Sequence, residues 1–320
     1  MYQNFFVYFI LIIIILVNLL KERVVIEPMI FDSKAMKKNY SEYGIGIDER
    51  NKTLTKGDKV VNYRNHFNKK NIVSNKLLTS KKIIAAGLPA PRYYEWNSDV
   101  SHYDNLQKMN NLSYPLVVKW ANGEKGSDVF TDITNNDELL DNIKSLQNQN
   151  KFPILIEEQI KGEKYRIMVL NDNIIFISHH SVPKITGDGK TTIRNLIKNF
   201  SITNKVSPIK IINENLIRQQ GYSLDDVLEN NKKIFVTKVV SPLNGSKEIF
   251  INEGDIHPEN MLLFKKINRL FGINFSGIDF ITPDISRPDG GKVIEVNSGP
   301  GFSLNQQKHY IKKWIKAIFN

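Results

Sequence analysis

Hydrophobic positions fall along this chain in two ways: one unbroken apolar block at the start, then shorter runs separated by polar turns. Met1–Leu20 is apolar apart from Gln3, Asn4 and Asn18, and Phe5 to Val17 is an uninterrupted apolar and aromatic stretch. At about 1.5 Å per residue, a helix of about 20 residues spans about 30 Å, the thickness of a bilayer's hydrocarbon core. A cleaved signal peptide carries its positive charge before the apolar run; here Lys21 and Arg23 follow it. The pattern predicts a single-pass transmembrane helix within residues 1–23, in the membrane through residues 1–20. By the positive-inside rule the bulk of the chain then faces the cytosol. A signal peptide and a packed helix are the alternatives.

Residues 24–73 are polar, basic and short on periodicity, with strands expected only at Val24–Ile30 and Val60–Tyr63 and a bend at Gly44-Ile45-Gly46. This segment reads as a basic linker or a reduced small domain. From Ser74 the pattern sharpens. SNKLLTSKKIIAAGLP predicts a helix capped by Ser74 or Asn75 and stopped by Gly87 and Pro89. Tyr114–Trp120, Val129–Ile133 and Phe152–Ile160 read as strands, and Tyr165–Leu170 with Asn173–Ser178 as a hairpin about Asn171-Asp172-Asn173. Thr186–Ile197 is a turn entering a helix, with Thr191 or Thr192 as cap. Asp255–Leu270 is an amphipathic helix with His257 at the cap and Pro258 first. Gln306–Asn320 places Tyr310, Ile311, Trp314, Ile315 and Ile318 at core spacing.

The chemistry concentrates in SGIDFITPDISRPDGGKVIEVNSGPGF, Ser276 to Phe302. Asp279 lies inside an apolar strand, Gly277–Thr282. After a Pro/Asp/Gly turn, Lys292–Asn297 alternates, so Val293 is expected on one face with Glu295 and Asn297, opposite Ile294 and Val296. A carboxylate in an apolar run is unfavourable unless paired or bound to metal. Two acidic oxygens and one amide oxygen on adjacent strands suit Mg²⁺. A buried strand pair whose acids cap turns is the other reading. Gly299-Pro300-Gly301 forces a tight turn beside Asn297. Upstream, Lys119 ends a strand and ANGEKGSDV follows, a glycine loop of the kind whose N–H groups close on phosphate. His179 and His180 are adjacent, so they point to opposite faces of a strand, and no zinc set is read.

The absence of cysteine excludes disulfide and thiolate chemistry. Of the net charge of +11, most lies early: residues 1–82 hold 15 Lys/Arg against 7 Asp/Glu. A basic segment beside a membrane anchor favours anionic lipid. No recognition motif accompanies the charge, so no nucleic-acid partner is expected.

The strings GID…PDISRP…IEVNSGPG, the strand–Lys119–glycine loop about 35 residues before FPILIEEQI, and GDGKTTIRNLI resemble the ATP-grasp superfamily. Within it they are most similar to cyanophycin synthetase-like and bifunctional glutathione synthetase-like domains. The resemblance covers roughly residues 74–305. It implies an α+β ATP-grasp domain over 74–320, two α+β lobes holding ATP between antiparallel sheets, here preceded by the transmembrane helix. It implies ATP with Mg²⁺ or Mn²⁺, and ligation of a small carboxylate to an amine of an amino acid or peptide through an acylphosphate. Lys76, Lys119 and the loop through Gly123, Gly126 and Ser127 would hold the triphosphate, and the backbone around Glu157, Glu158 and Ile160 the adenine. Asp279, Glu295 and Asn297 would hold the metal. Arg166 would act with Lys119 at the phosphate or substrate. Three departures stand out. Asp128 replaces a frequent glycine. Lys164 stands where an acid usually holds the ribose, which shifts that role to Glu163. Residues 198–253 diverge, with SPLNGS, Ser241–Ser246, in place of the relatives' Asn- and Gly-rich substrate loop and Lys238 a candidate basic contact just upstream. A non-catalytic ATP-binding scaffold and a kinase remain alternatives, and related enzymes suggest a homodimer.

Overall fold

Asn75, Asn135, Thr192 and His257 each open a helix, and the elements that follow them set the frame of the molecule. The structure is a computed structural model that describes residues 38, 40–62, 71–123, 128–206, 212–237, 246–298, 300–301 and 304–319. The expected anchor within 1–23 and the strand Val24–Ile30 lie outside these residues. Among the described residues no helix is long and apolar enough to cross a membrane. The chain divides into two compact units, residues 1–68 with 299–320 and residues 69–298.

In the first unit, β1 (Gly46–Asp48), β2 (Thr53–Lys56) and β3 (Lys59–Asn62) form an antiparallel sheet. The sequence reading expected only the last of them. Strands of three or four residues are too short to show a period.

The second unit carries the candidate chemistry. Helix α1 (Lys76–Ala85) starts where Asn75 accepts a hydrogen bond from the Leu78 amide, 2.9 Å. β4 (Tyr93–Trp96), α2 (His102–Lys108), β5 (Leu116–Trp120), β6 (Val129–Ile133), α3 (Asn136–Gln147) and β7 (Ile154–Glu158) follow. The four strands form a sheet of order β4-β7-β5-β6. One face packs Leu116, Val118, Ile154 and Ile156 against Leu139, Ile143 and Leu146 of α3. Each such side chain contributes about 1.5–3 kcal/mol when fully buried. The other face holds Lys119 and Glu157: Lys119 pairs with Leu155 and Val117 with Glu157, so both charges point the same way.

β8 (Glu163–Leu170) and β9 (Asn173–Ser181) form the expected hairpin, turning at Asn171 and Asp172 with φ +48° and +60°. A small lobe then builds its own core. β10 (Lys184–Thr186), α4 (Ile193–Asn204), α5 (Glu214–Gln219) and β11 (Lys233–Phe235) bury Ile185, Ile193, Ile197, Ile217 and Ile234 together. Thr192 is the cap of α4.

β12 (Lys247–Ile251), α6 (Pro258–Phe271), β13 (Phe275–Thr282) and β14 (Lys292–Ser298) complete a five-stranded antiparallel sheet, β12-β9-β8-β13-β14. His257 caps α6 through Nδ1, which accepts from the Glu259 amide at 3.3 Å. Phe264, Ile267 and Phe271 of α6 pack on Ile167, Ile278, Phe280, Val293 and Val296. That corrects the expected alternation in β14. The ladder pairs Asp279 with Glu295 but Phe280 with Val293, so Ile294 is an extra residue. The bulge turns Val293 to the core side with Val296, while Glu295 and Asn297 keep the face of Asp279.

Helix α7 (Leu304–Phe319) belongs to the first unit, whereas the sequence reading set residues 74–320 together as one domain. Ile311, Trp314, Ile315 and Ile318 are buried there as their spacing predicts, with Tyr40, Ile45 and Leu54. Lys59 Nζ donates to the Phe319 carbonyl, 2.9 Å. Burial pushes the Tyr40 phenol up, opposed by its hydrogen bond with Trp314.

Candidate active site

Asp279 sits in mid-strand with 1% of its surface exposed. Its ladder neighbours are Glu295 on β14 and Arg166 on β8, so the three share one face of the sheet. Lys164, two residues from Arg166, joins them: its Nζ lies 2.6 Å from Asp279 Oδ2. Arg166 Nε lies 2.9 Å from Oδ1, but off the direction of a hydrogen bond, and Oδ1 has no hydrogen-bond partner. Ser178, across from Arg166 on β9, likewise keeps a buried hydroxyl without one. Two unsatisfied buried oxygens thus flank Arg166. Leaving such groups unmet costs about 1–3 kcal/mol each, a penalty expected where a ligand completes the set.

A metal ion is consistent with these residues. Asp279 offers a buried oxygen with no hydrogen bond, Glu295 faces it across the ladder, and Asn297 follows on the same face. Directly opposed side chains stand about 4.5–5.5 Å apart at Cβ, close enough for hard oxygens to share one cation.

The second cluster is closed. Lys119 is 6% exposed and Glu157 3%; Lys119 Nζ lies 2.6 Å from Glu157 Oε2. Ser80 Oγ donates to Glu157 Oε1 at 3.2 Å. Ser80 stands one turn after Lys76 on α1, the only sequence signal for its place here. Lys76 begins the helix. Its amide donates to the Ala121 carbonyl at 2.8 Å, Asn75 Nδ2 reaches Asn122 Oδ1 at 2.8 Å, and Lys76 Nζ donates to the Gly123 carbonyl. The same ammonium is 3.9 Å from Glu295 Oε1. Lys76 therefore ties the glycine loop after β5 to the acidic strand β14.

Other expected residues divide. Gly126, Ser127 and Lys238 lie outside the described residues. Glu158 is held by Arg92 and by the Ser113 amide, and its own amide donates to the Arg92 carbonyl. Ile160 lies half-buried beyond the end of β7. Glu163 does not join Asp279. It has the parity of Tyr165 on β8, and its carboxylate lies 3.6 Å from His179 Nε2. Alternation along the strand puts Lys164, not Glu163, on the site face. Asp128 takes φ +59°, the left-handed backbone a glycine would favour, and its carboxylate pairs with Lys151. Gly162 is required by crowding: at φ +139°, an added Cβ would lie 2.3 Å from the Thr282 carbonyl.

Several known proteins resemble this chain. It is 28% identical over 237 residues to cyanophycin synthetase of Synechocystis sp., covering 69% of this chain and 26% of that protein. It is 25% identical over 250 residues to the glutathione biosynthesis bifunctional protein of Streptococcus mutans, covering 73% and 33%. The chain thus spans about a quarter to a third of the length of these relatives. Among solved structures, a bifunctional glutathione synthetase from Pasteurella multocida superposes with a TM-score of 0.55 at 18% identity, over 85% of this chain and 42% of that one. D-alanine–D-alanine ligase from Bacillus anthracis complexed with ATP gives 0.50 at 15%, over 78% and 66%. These likenesses show the fold. No protein-family model matches the chain.

Proposed function

We propose that this chain, which carries a cyanophycin synthetase-like and glutathione synthetase-like ATP-grasp domain, is an ATP-dependent ligase that joins a carboxylate to an amine. The observation that carries the reading is the buried, incompletely satisfied Asp279 beside Glu295, Asn297 and Arg166, with Lys76 bridging toward the glycine loop.

Lys76 and the loop at Gly123 hold the triphosphate, with Lys119 adding its charge from within the ion pair with Glu157. Mg²⁺ or Mn²⁺ on Asp279, Glu295 and Asn297 would neutralise phosphate charge during transfer. Arg166, on the same face, stabilises the moving phosphoryl group or orients the acid substrate. A substrate carboxylate oxygen attacks the γ-phosphorus and ADP leaves, which gives an acylphosphate. The amine then bonds to the acyl carbon, phosphate departs with the C–O electron pair, and the amine loses a proton. No side-chain nucleophile is required. Positioning and electrostatics supply the catalysis. The relatives' names, glutathione synthetase and D-alanine–D-alanine ligase, favour amino acids or small peptides as substrates.

The test is release of ADP and phosphate with Mg²⁺ and pooled amino acids and peptides, against Glu295→Ala. Release that requires both an acid and an amine, and that falls at least about 100-fold in the folded variant, is expected. Nucleotide binding without release under any pool would favour a scaffold. Turnover that survives Glu295→Ala would sink the metal assignment. The reading also includes the anchor: removal of residues 1–23 yields a fragment that leaves the membrane fraction and still binds ATP. Retention of that fragment in the membrane would rule the anchor out.

A further inference from the structure

We infer that Lys164 is a built-in counter-ion that keeps a divalent metal off Asp279 until a nucleotide arrives. The inference rests on the ligase reading of the same site and adds an order of binding to it. Within the cluster, two carboxylates, Asp279 and Glu295, face three cations. Lys164 is 2.6 Å from Asp279 Oδ2, Arg166 Nε is 2.9 Å from Oδ1, and Lys76 Nζ is 3.9 Å from Glu295 Oε1. A bare divalent ion entering this set meets a net positive field and must displace a cation from a nearly inaccessible carboxylate. A metal arriving with a triphosphate brings negative charge that all three cations attract.

Among the three, Lys164 is the one built to move. Its side chain is 48% exposed, against 31% for Arg166 and 10% for Lys76. A flexible four-carbon stem with a compact ammonium leaves a carboxylate more readily than a guanidinium placed between Asp279 and Ser178 in the ladder. Its ammonium is half in water while the carboxylate is buried, so its departure costs little once the arriving metal replaces its charge on Asp279.

The test is a Mn²⁺ titration of the full-length, detergent-solubilised protein, following protein-bound Mn²⁺ by equilibrium dialysis and electron paramagnetic resonance with and without ATP, against Mn²⁺–ATP mixtures without protein. Lys164→Gln removes the charge; Lys164→Arg keeps it. The wild type and Lys164→Arg are expected to take Mn²⁺ well only with ATP. Lys164→Gln is expected to bind Mn²⁺ alone about tenfold more tightly than the wild type. Asp279→Asn should bind in neither condition. If the wild type takes Mn²⁺ alone as tightly as Lys164→Gln, the counter-ion role is overturned while the metal site stands. If Lys164→Arg behaves like Lys164→Gln, charge is not the cause and the inference fails. If no protein takes Mn²⁺ even with ATP, the metal assignment falls and this inference falls with it.

Discussion

Lys119 with Glu157 in one sheet and Asp279 with Lys164 and Arg166 in the other are both buried charge clusters, but they stand at different stages of completion. Glu157 has a lysine on one oxygen and the Ser80 hydroxyl on the other, and the pair is almost wholly out of water. Asp279 is as deeply buried, yet its Oδ1 lacks a hydrogen bond and its cations reach solvent. The first cluster is finished by folding; the second is left for a ligand to finish. Deleting one charge from each should therefore have opposite consequences.

The largest stability effect belongs to the finished pair. Glu157→Ala strands the Lys119 ammonium in a dry sheet and should lower stability by about 3–5 kcal/mol, read from urea unfolding. Replacing both residues, Lys119→Met with Glu157→Leu, should recover most of that loss while nucleotide binding stays impaired. A single mutant within about 1 kcal/mol of wild type would mean that water reaches the pair, and the contrast with Asp279 would collapse.

Gly162→Ala comes next. Gly162, just before β8, meets the end of β13 at Thr282, and its φ of +139° is one that side-chain-bearing residues rarely adopt. Strain of this kind is worth about 1–3 kcal/mol. It should appear as a lower unfolding midpoint together with weaker nucleotide binding. A change in neither would show that β8 and β13 can separate there without consequence for the site.

Asp279→Asn should change stability by about 1 kcal/mol or less, because the cations it releases are partly solvated. Turnover should nevertheless fall at least about 100-fold. Stability lost on the scale of Glu157→Ala would make Asp279 a structural counter-ion rather than a ligand site awaiting its metal.

How far the sequence reached follows from the same contrast. Caps and stops are local chemistry, so Asn75, Thr192, His257 with Pro258, and the Asn171-Asp172 turn were readable, and α1, α4, α6 and the hairpin lie where they should. Asp279 was readable because a charge in an apolar run demands a partner. Its actual partner was not. Lys164 reaches it through the β8–β13 register, which no local pattern encodes, and the same register sends Glu163 to His179. The bulge at Ile294 was hidden because both alternations of Lys292–Asn297 look amphipathic; the choice is made by the Phe280–Val293 contact. Helix α3 was legible but not read: Leu139, Leu140, Ile143 and Leu146 follow the Asn135 cap at helical spacing, and packing on the β5–β7 face fixes its place.

The smallest effect tests a carboxylate that is the inverse of Asp279: fully exposed and fully satisfied. Asp188, in the turn before α4, accepts hydrogen bonds from the Thr191 hydroxyl and from the amides of Thr191 and Lys190. These bonds, led by the Thr191 hydroxyl, favour the charged form and hold its pKa at about 2, below the ordinary 3.8. A depressed folded pKa gives stability that is present above pH 3.8 and is lost as pH falls through about 2. Asp188→Asn should therefore trail the wild type slightly in urea midpoint near neutral pH, and the gap should close as the pH approaches 2. A gap independent of pH would mean that the turn needs the shape of the side chain rather than its charge. Asp279 would then be the more informative of the two carboxylates, because its charge has no local hydrogen-bond network to answer for it.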